Sequence, residues 1–257
     1  MRAPSFLAVM ATVFALVIAT QVMAAVPHLG VEVVKTYPHD RSAFTEGLFF
    51  KDGFLYESTG LNGASFIRKV DLASGKVLRQ TKIDKKYFGE GIAPWGDHII
   101  SLTWQTGTGF VWEAGSFKKD RSFSYKGEGW GLTQDGHSLI MSDGTPTLRF
   151  LDPKNLQVVR SVQVTLDGQP LDQVNELEWI KGDIYANIWR TRKVVRIDPA
   201  TGKITAIIDL DTLAETQDSH LPNDAVANGI AYDSVGDHLY VTGKLWSHIY
   251  EVKLVPR

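Results

Sequence analysis

The sequence predicts an all-β chain folded as a five-bladed β-propeller. A short motif recurs five times along the 257 residues, tight Gly-containing turns recur with it, and helical periodicity is nearly absent. The motif is a polar or aromatic residue, then a small one, then an aliphatic one. It reads Thr45-Glu46-Gly47-Leu48, Phe88-Gly89-Glu90-Gly91-Ile92, Gly129-Trp130-Gly131-Leu132, Asn175-Glu176-Leu177 and Asn228-Gly229-Ile230. Each copy leads into a turn and an apolar run, as in Gly96-Asp97-His98-Ile99-Ile100 and Gly182-Asp183-Ile184-Tyr185. The spacing is about 40 to 55 residues, the range of propeller blades. In a radial array, equivalent positions converge near one axis, so Glu46, Glu90, Trp130, Asn175 and Asn228 are expected to meet there.

The chain begins with a leader pattern at 1–24. Arg2 supplies a positive start, 6–18 is a short apolar core, and Val22-Met23-Ala24 offers small residues at a cleavage site after Ala24 or Ala25. An uncleaved membrane anchor would need a longer apolar run. A single domain over 26–257 is expected, exported to a periplasm or secreted. The absence of cysteine fits a bacterial periplasm and excludes disulfides and thiolate chemistry.

The valine-rich segment 31–37 reads as a strand, broken at Pro38. The first repeat supplies strands at 47–50, 54–58, 66–71 and 77–83. Its third and fourth strands are joined by a turn in which Gly75 takes positive φ cheaply. The same strand, Asp, turn, strand layout recurs at 148–158 and 194–204, as the outer hairpin of a blade. The best helical candidate is one turn at 211–215. The fifth copy has strands at 229–232, 238–242 and 248–254 and no fourth. The orphan strand at 31–37 is therefore expected to complete it and close the ring, which leaves no ragged sheet edge.

Glu46 and Glu90 hold matching positions in adjacent repeats. A carboxyl buried among aromatic rings is desolvated, its pKa rises, and it can take a proton and return it. From the residues alone, either glutamate serves equally well as an acceptor for backbone N–H groups at the channel mouth. Trp104, Trp189 and Lys244 each follow the second strand of their repeat, and Trp130 holds the motif position itself. Rings gathered at one mouth form an apolar pocket. The net charge of −2 argues against a nucleic-acid partner. The seven histidines show no metal-ligand spacing and read as surface or turn residues. There is no Gly-x-Ser-x-Gly elbow and no phosphate-binding loop.

Taken together, Phe44-Thr45-Glu46-Gly47-Leu48, Tyr56-Glu57-Ser58-Thr59-Gly60, Phe88-Gly89-Glu90-Gly91, Leu102-Thr103-Trp104, Gly129-Trp130-Gly131-Leu132, Asn175-Glu176-Leu177-Glu178 and Thr242-Gly243-Lys244 resemble the plant-type glutaminyl-peptide cyclotransferases, in their bacterial branch. The resemblance covers nearly the whole chain after the leader. It implies a five-bladed propeller without metal or other cofactor that converts the N-terminal glutamine of peptides or proteins to pyroglutamate and releases ammonia. It implies a proton-shuttling role for Glu90 and polarising roles for Asn175 and Lys244. Trp104, Trp130, Trp189, Phe44 and Phe88 would line the substrate pocket. Plant members carry Gln where Glu46 stands, so Glu46 is expected either to join the chemistry or to bind the substrate amine. Plant members also carry cysteines absent here.

Two rival readings remain at the level of sequence. A lactonase-like propeller would hold a divalent cation with Glu46, Asn175 and Asn228, but such propellers use six blades. A non-enzymatic propeller would bind peptides without releasing ammonia. A monomer is expected, with no membrane contact once the leader is removed.

Overall fold

The computed structural model describes residues 25–217 and 220–257. The expected leader at 1–24 lies outside the described residues. Three antiparallel four-stranded sheets follow one another along the chain. The first contains Thr45–Lys51, Phe54–Thr59, Phe66–Asp71 and Lys76–Lys82. The second contains Gly89–Trp95, His98–Thr103, Thr108–Glu113 and Lys119–Ser124, and the third Leu132–Gln134, Leu139–Met141, Thr147–Leu151 and Val158–Gln163. An eight-stranded sheet follows. Half of it is Val174–Ile180, Asp183–Ile188, Lys193–Ile197 and Ile204–Asp209, and the other half is His28–Pro38, His248–Pro256, His238–Gly243 and Ala227–Asp233. The architecture is all-β and propeller-like. The helical candidate at 211–215 is a short α-helix, Asp211–Ala214.

Burial explains the radial order. The first strand of a sheet is buried on both faces over Thr45–Leu48 in one case and Gly89–Ala93 in the next, whereas the fourth strand Lys76–Lys82 is mostly exposed. First strands therefore lie innermost. They touch in a closed cycle: Thr45–Lys51 with Gly89–Trp95, then Leu132–Gln134, then Val174–Ile180, then Ala227–Asp233, and back to Thr45–Lys51. Side-chain alternation feeds the core on either side of each sheet. Leu48 packs with Tyr240 and Ile249 on one face while Phe49 packs with Ile92 and Trp112 on the other. Ile99 and Ile100 likewise enter different clusters, the second shared with Leu132 and Leu151.

The orphan N-terminal strand pairs antiparallel with His248–Pro256, from Leu29↔Pro256 to Pro38↔His248. Its other edge makes a short parallel pairing with Ile204–Asp209, which the sequence did not suggest and which merges the two halves into one sheet. The hairpin of Thr165–Leu166 and Gln169–Pro170 was also unforeseen.

Four innermost strands carry a register shift at the motif, at Thr45/Gly47, Gly89/Ile92, Val174/Leu177 and Ala227/Ile230. Such bulges bend a strand and re-aim its side chains. The small motif residue has a steric reason. A Cβ on Gly131 would lie 2.1 Å from the Asn175 carbonyl oxygen, and one on Gly91 2.5 Å from the Leu132 nitrogen. Glu176 stands at this position in the fourth copy. Its carboxyl accepts the Leu48 N–H at 3.2 Å and the Ile230 N–H at 2.9 Å, so it joins innermost strands that would otherwise present unpaired donors at the axis.

One histidine departs from the expectation of a surface or turn role. The His39 side chain is only 4% exposed, with Nε2 2.9 Å from Glu57 and Nδ1 2.8 Å from the Trp246 carbonyl. Glu57 also accepts from Arg68 Nε at 2.8 Å and Thr45 Oγ1 at 2.7 Å. Sequence spacing could not reveal this, because the partners come from four separate segments.

Candidate active site

A cavity of about 300 Å³ opens at one end of the axis, where the innermost strands begin and the second strands end. All nine residues expected at the site line it: Phe44, Glu46, Phe88, Glu90, Trp104, Trp130, Asn175, Trp189 and Lys244. The bulges aim Glu46, Glu90 and Asn175 inward, and each is at most 5% exposed. Trp104, Trp189 and Lys244 follow the ends of His98–Thr103, Asp183–Ile188 and His238–Gly243 and reach the same space. Asn228, the fifth equivalent position, does not line the cavity. It is fully buried beside it, and its amide donates to the Thr45 carbonyl at 2.9 Å and to Glu46 Oε2 at 3.4 Å.

Aromatic rings form much of the wall. Phe44 meets Phe88 edge-on at 6.2 Å, and Phe88 meets Trp104 at 5.5 Å. Trp130 meets Trp189 at 5.5 Å and 80°. Gly60 makes this packing possible, since a Cβ there would lie 2.3 Å from the Phe88 ring.

The polar groups are few and close. Lys244 Nζ donates to Glu46 Oε1 at 2.7 Å and lies 4.6 Å from the Phe44 ring centre. Burial pushes the Glu46 carboxyl up, Lys244 opposes this, and Asp224 adds repulsion; the result is about 7. Burial also holds Glu90 well above the usual carboxylate range, and the negative charges of Glu46 and Glu128 add to it against the attraction of Lys244. Glu46, Glu90 and Asp224 thus bring three carboxyls to one cavity with the Lys244 ammonium and the Arg190 guanidinium. Such an arrangement can accept a proton near neutral pH and give it back. Among the described residues, no group of three or more His, Asp or Glu side chains is placed to hold a metal ion.

Three further lining residues escaped the sequence reading: Leu61, Arg190 and Asp224. Leu61 and Arg190 have φ of 78° and 59°, in the left-handed region that non-glycine residues seldom occupy and that recurs at ligand sites. The Arg190 guanidinium stacks 4.3 Å from the Trp189 ring centre. A signal for Arg190 existed, because it follows Trp189 directly; Asp224 lies in a loop outside the repeat and had none.

Known proteins share much of this sequence and fold. The family model described as glutamine cyclotransferase matches residues 6–254. A glutaminyl-peptide cyclotransferase of Arabidopsis thaliana is 41% identical over 228 residues, which cover 87% of this chain and 71% of that protein. The crystal structure of Myxococcus xanthus glutaminyl cyclase superposes with a TM-score of 0.85 at 37% identity, covering 90% of this chain and 99% of that one. The WD40 repeats of RRP9 share the fold alone, at 11% identity, a TM-score of 0.54, and coverage of 87% of this chain and 97% of that one. The chain belongs to the glutamine cyclotransferase family.

Proposed function

We propose that this protein is a glutaminyl-peptide cyclotransferase, which closes the N-terminal glutamine of a peptide or protein into pyroglutamate and releases ammonia. The observation that carries the reading is the setting of Glu90. It is 5% exposed, it lines an aromatic cavity, and the Glu46–Lys244 ion pair lies in the same cavity.

The chemistry follows from that setting. The neutral α-amine attacks the γ-carboxamide carbon of its own residue, a C–N bond forms, and negative charge develops on the carbonyl oxygen. Lys244 and Asn175 stabilise that oxyanion. Glu90 accepts the proton shed by the amine and passes it to the departing amide nitrogen. The second C–N bond then breaks, ammonia leaves, and Glu90 returns to its starting state. Glu46 receives the substrate amine. The indole and phenyl walls exclude water and fold the glutamine side chain back on its own amine, an orientation effect. In this scheme the Lys244 ammonium and the Asn175 amide carry the oxyanion, and no step is routed through a metal ion.

The reading extends to architecture and location. Counting the eight-stranded sheet as two units gives five blades, with the N-terminal strand completing the last. The leader pattern at 1–24 supports export to a periplasm or secretion. The enzyme would act as a monomer.

The direct test is ammonia release from a Gln-initiated dipeptide by the purified protein, with and without EDTA. Release in both arms is expected. Binding without release would make the protein a peptide-binding propeller, and loss of release with EDTA would favour a metal-dependent hydrolase.

A further inference from the structure

The two aromatic pairs of the cavity wall, Phe88 with Trp104 and Trp130 with Trp189, are joined by a carboxylate. Glu128 Oε2 accepts the indole N–H of Trp104 and that of Trp130, each at 2.8 Å. An indole has one donor and no acceptor, so this bond is the only directional polar contact either ring can make. An ionised acceptor makes both bonds stronger than neutral ones. Packing does less here than in a core, because Trp104 is 37% exposed and Trp130 half-buried.

Glu128 is itself held. Its other oxygen accepts from the Gln105 amide at 3.3 Å, and its backbone carbonyl accepts from Arg149 at 3.0 Å. Arg149 pairs in turn with Asp143 at 3.0 Å. The loop that presents Glu128 is also closely packed, since a Cβ on Gly129 would lie 2.5 Å from the Tyr125 hydroxyl.

We propose that Glu128 is a positioning residue for the cyclisation, fixing the planes of Trp104 and Trp130 so that the wall formed by both rings stays closed around the folded glutamine side chain. This rests on the cyclotransferase reading. Glu128 does not line the cavity and touches no reacting atom; it acts through the two indoles.

The test joins a kinetic measurement to one that needs no substrate. Indole N–H resonances of Trp104 and Trp130 are followed by 1H–15N NMR in the wild type, Glu128→Gln and Glu128→Ala, with Trp104→Phe and Trp130→Phe used for assignment. Ammonia release from a Gln-initiated dipeptide is measured on the same samples. In Glu128→Ala both resonances should move and broaden, and kcat/KM should fall by about 10²-fold, mostly through a lower kcat, as expected for lost orientation of the bound substrate. Glu128→Gln keeps a carbonyl oxygen at the same place and should recover most of both signals. Unmoved indole resonances with unchanged kcat in Glu128→Ala would overturn the proposal. So would a Gln variant as impaired as the Ala variant. If the alanine variant does not fold, Glu128→Asp, which withdraws the acceptor by one methylene, takes its place with the same expectations. A wild type that releases no ammonia defeats the cyclotransferase reading instead, and the indole resonances still decide whether Glu128 holds the rings.

Discussion

Lys244 Nζ lies 2.7 Å from Glu46 Oε1, and both side chains are buried in the cavity although the residues are 198 positions apart. The pair brings a cation to the place where charge would develop during cyclisation. Replacing it as Lys244→Met removes the ammonium while keeping most of the stem. The kcat for ammonia release should drop by about 10²- to 10³-fold, the range seen when one oxyanion partner is removed. A drop of less than threefold would remove Lys244 from the mechanism.

Glu90→Gln keeps the shape of the side chain and removes its proton chemistry. We expect kcat to fall by about 10²- to 10⁴-fold while a Gln-initiated peptide still binds. Turnover measured beside isothermal titration separates the two effects. Turnover near that of the wild type would reject the proton-shuttling role.

The Glu46 carboxyl sits at about 7, above its ordinary 4.5. It is therefore protonated below pH 7 and a carboxylate above. If the carboxylate receives the substrate amine, kcat/KM should climb through pH 7 in the wild type. In Glu46→Gln the limb should move up to about pH 8, where the substrate α-amine loses its own proton. A pH profile of the variant that still climbs at pH 7 would assign the limb elsewhere.

Glu178 is a structural counterpart. Burial pushes its carboxyl up to about 8, despite the N–H of Tyr232 donating at 3.0 Å and the hydroxyl of Thr133 at 3.3 Å. Between 4.5 and 8 the folded chain holds a proton that the unfolded chain releases. Its contribution to stability is fullest below 4.5 and declines as pH rises to 8. Glu178→Gln removes this dependence. Urea midpoints at pH 5 and pH 8 should lie closer together in the variant, and an unchanged gap would count against the raised pKa.

Gly131→Ala tests the close approach at the axis. The added methyl would lie 2.1 Å from the carbonyl oxygen of Asn175, which is backbone and has little room to yield. A loss of at least about 1–3 kcal/mol is expected from overpacking. Activity should fall too, because the displaced strand carries Asn175. A chemical denaturation curve matching the wild type would mean that the ring relaxes freely.

Much of the fold was legible because its signals are local. Alternation and turn chemistry placed Phe66–Asp71 at its observed bounds and the short helix within a residue. The motif spacing placed Glu46, Glu90, Trp130 and Asn175 around one cavity. Leu61, Asp224 and Glu128 were not legible, because loop residues have no period and their reach depends on which loops meet.

The sequence by itself determined which segments become strands, how they pair within each repeat, and which repeat positions face the axis. These follow from side-chain alternation and turn geometry acting over a few residues. Only the tertiary structure decided what the buried acids do. Glu57 and Glu178 are the same residue type, both at most 9% exposed, yet Glu57 is held to about 2 and Glu178 is pushed to about 8. Burial raises both. In Glu57 the nearby His39 and Arg68 overcome it, while Glu178 has only neutral hydrogen-bond donors to set against it. The charge of a buried carboxyl is set by neighbours brought from distant parts of the chain, and the order of residues alone does not contain that distance.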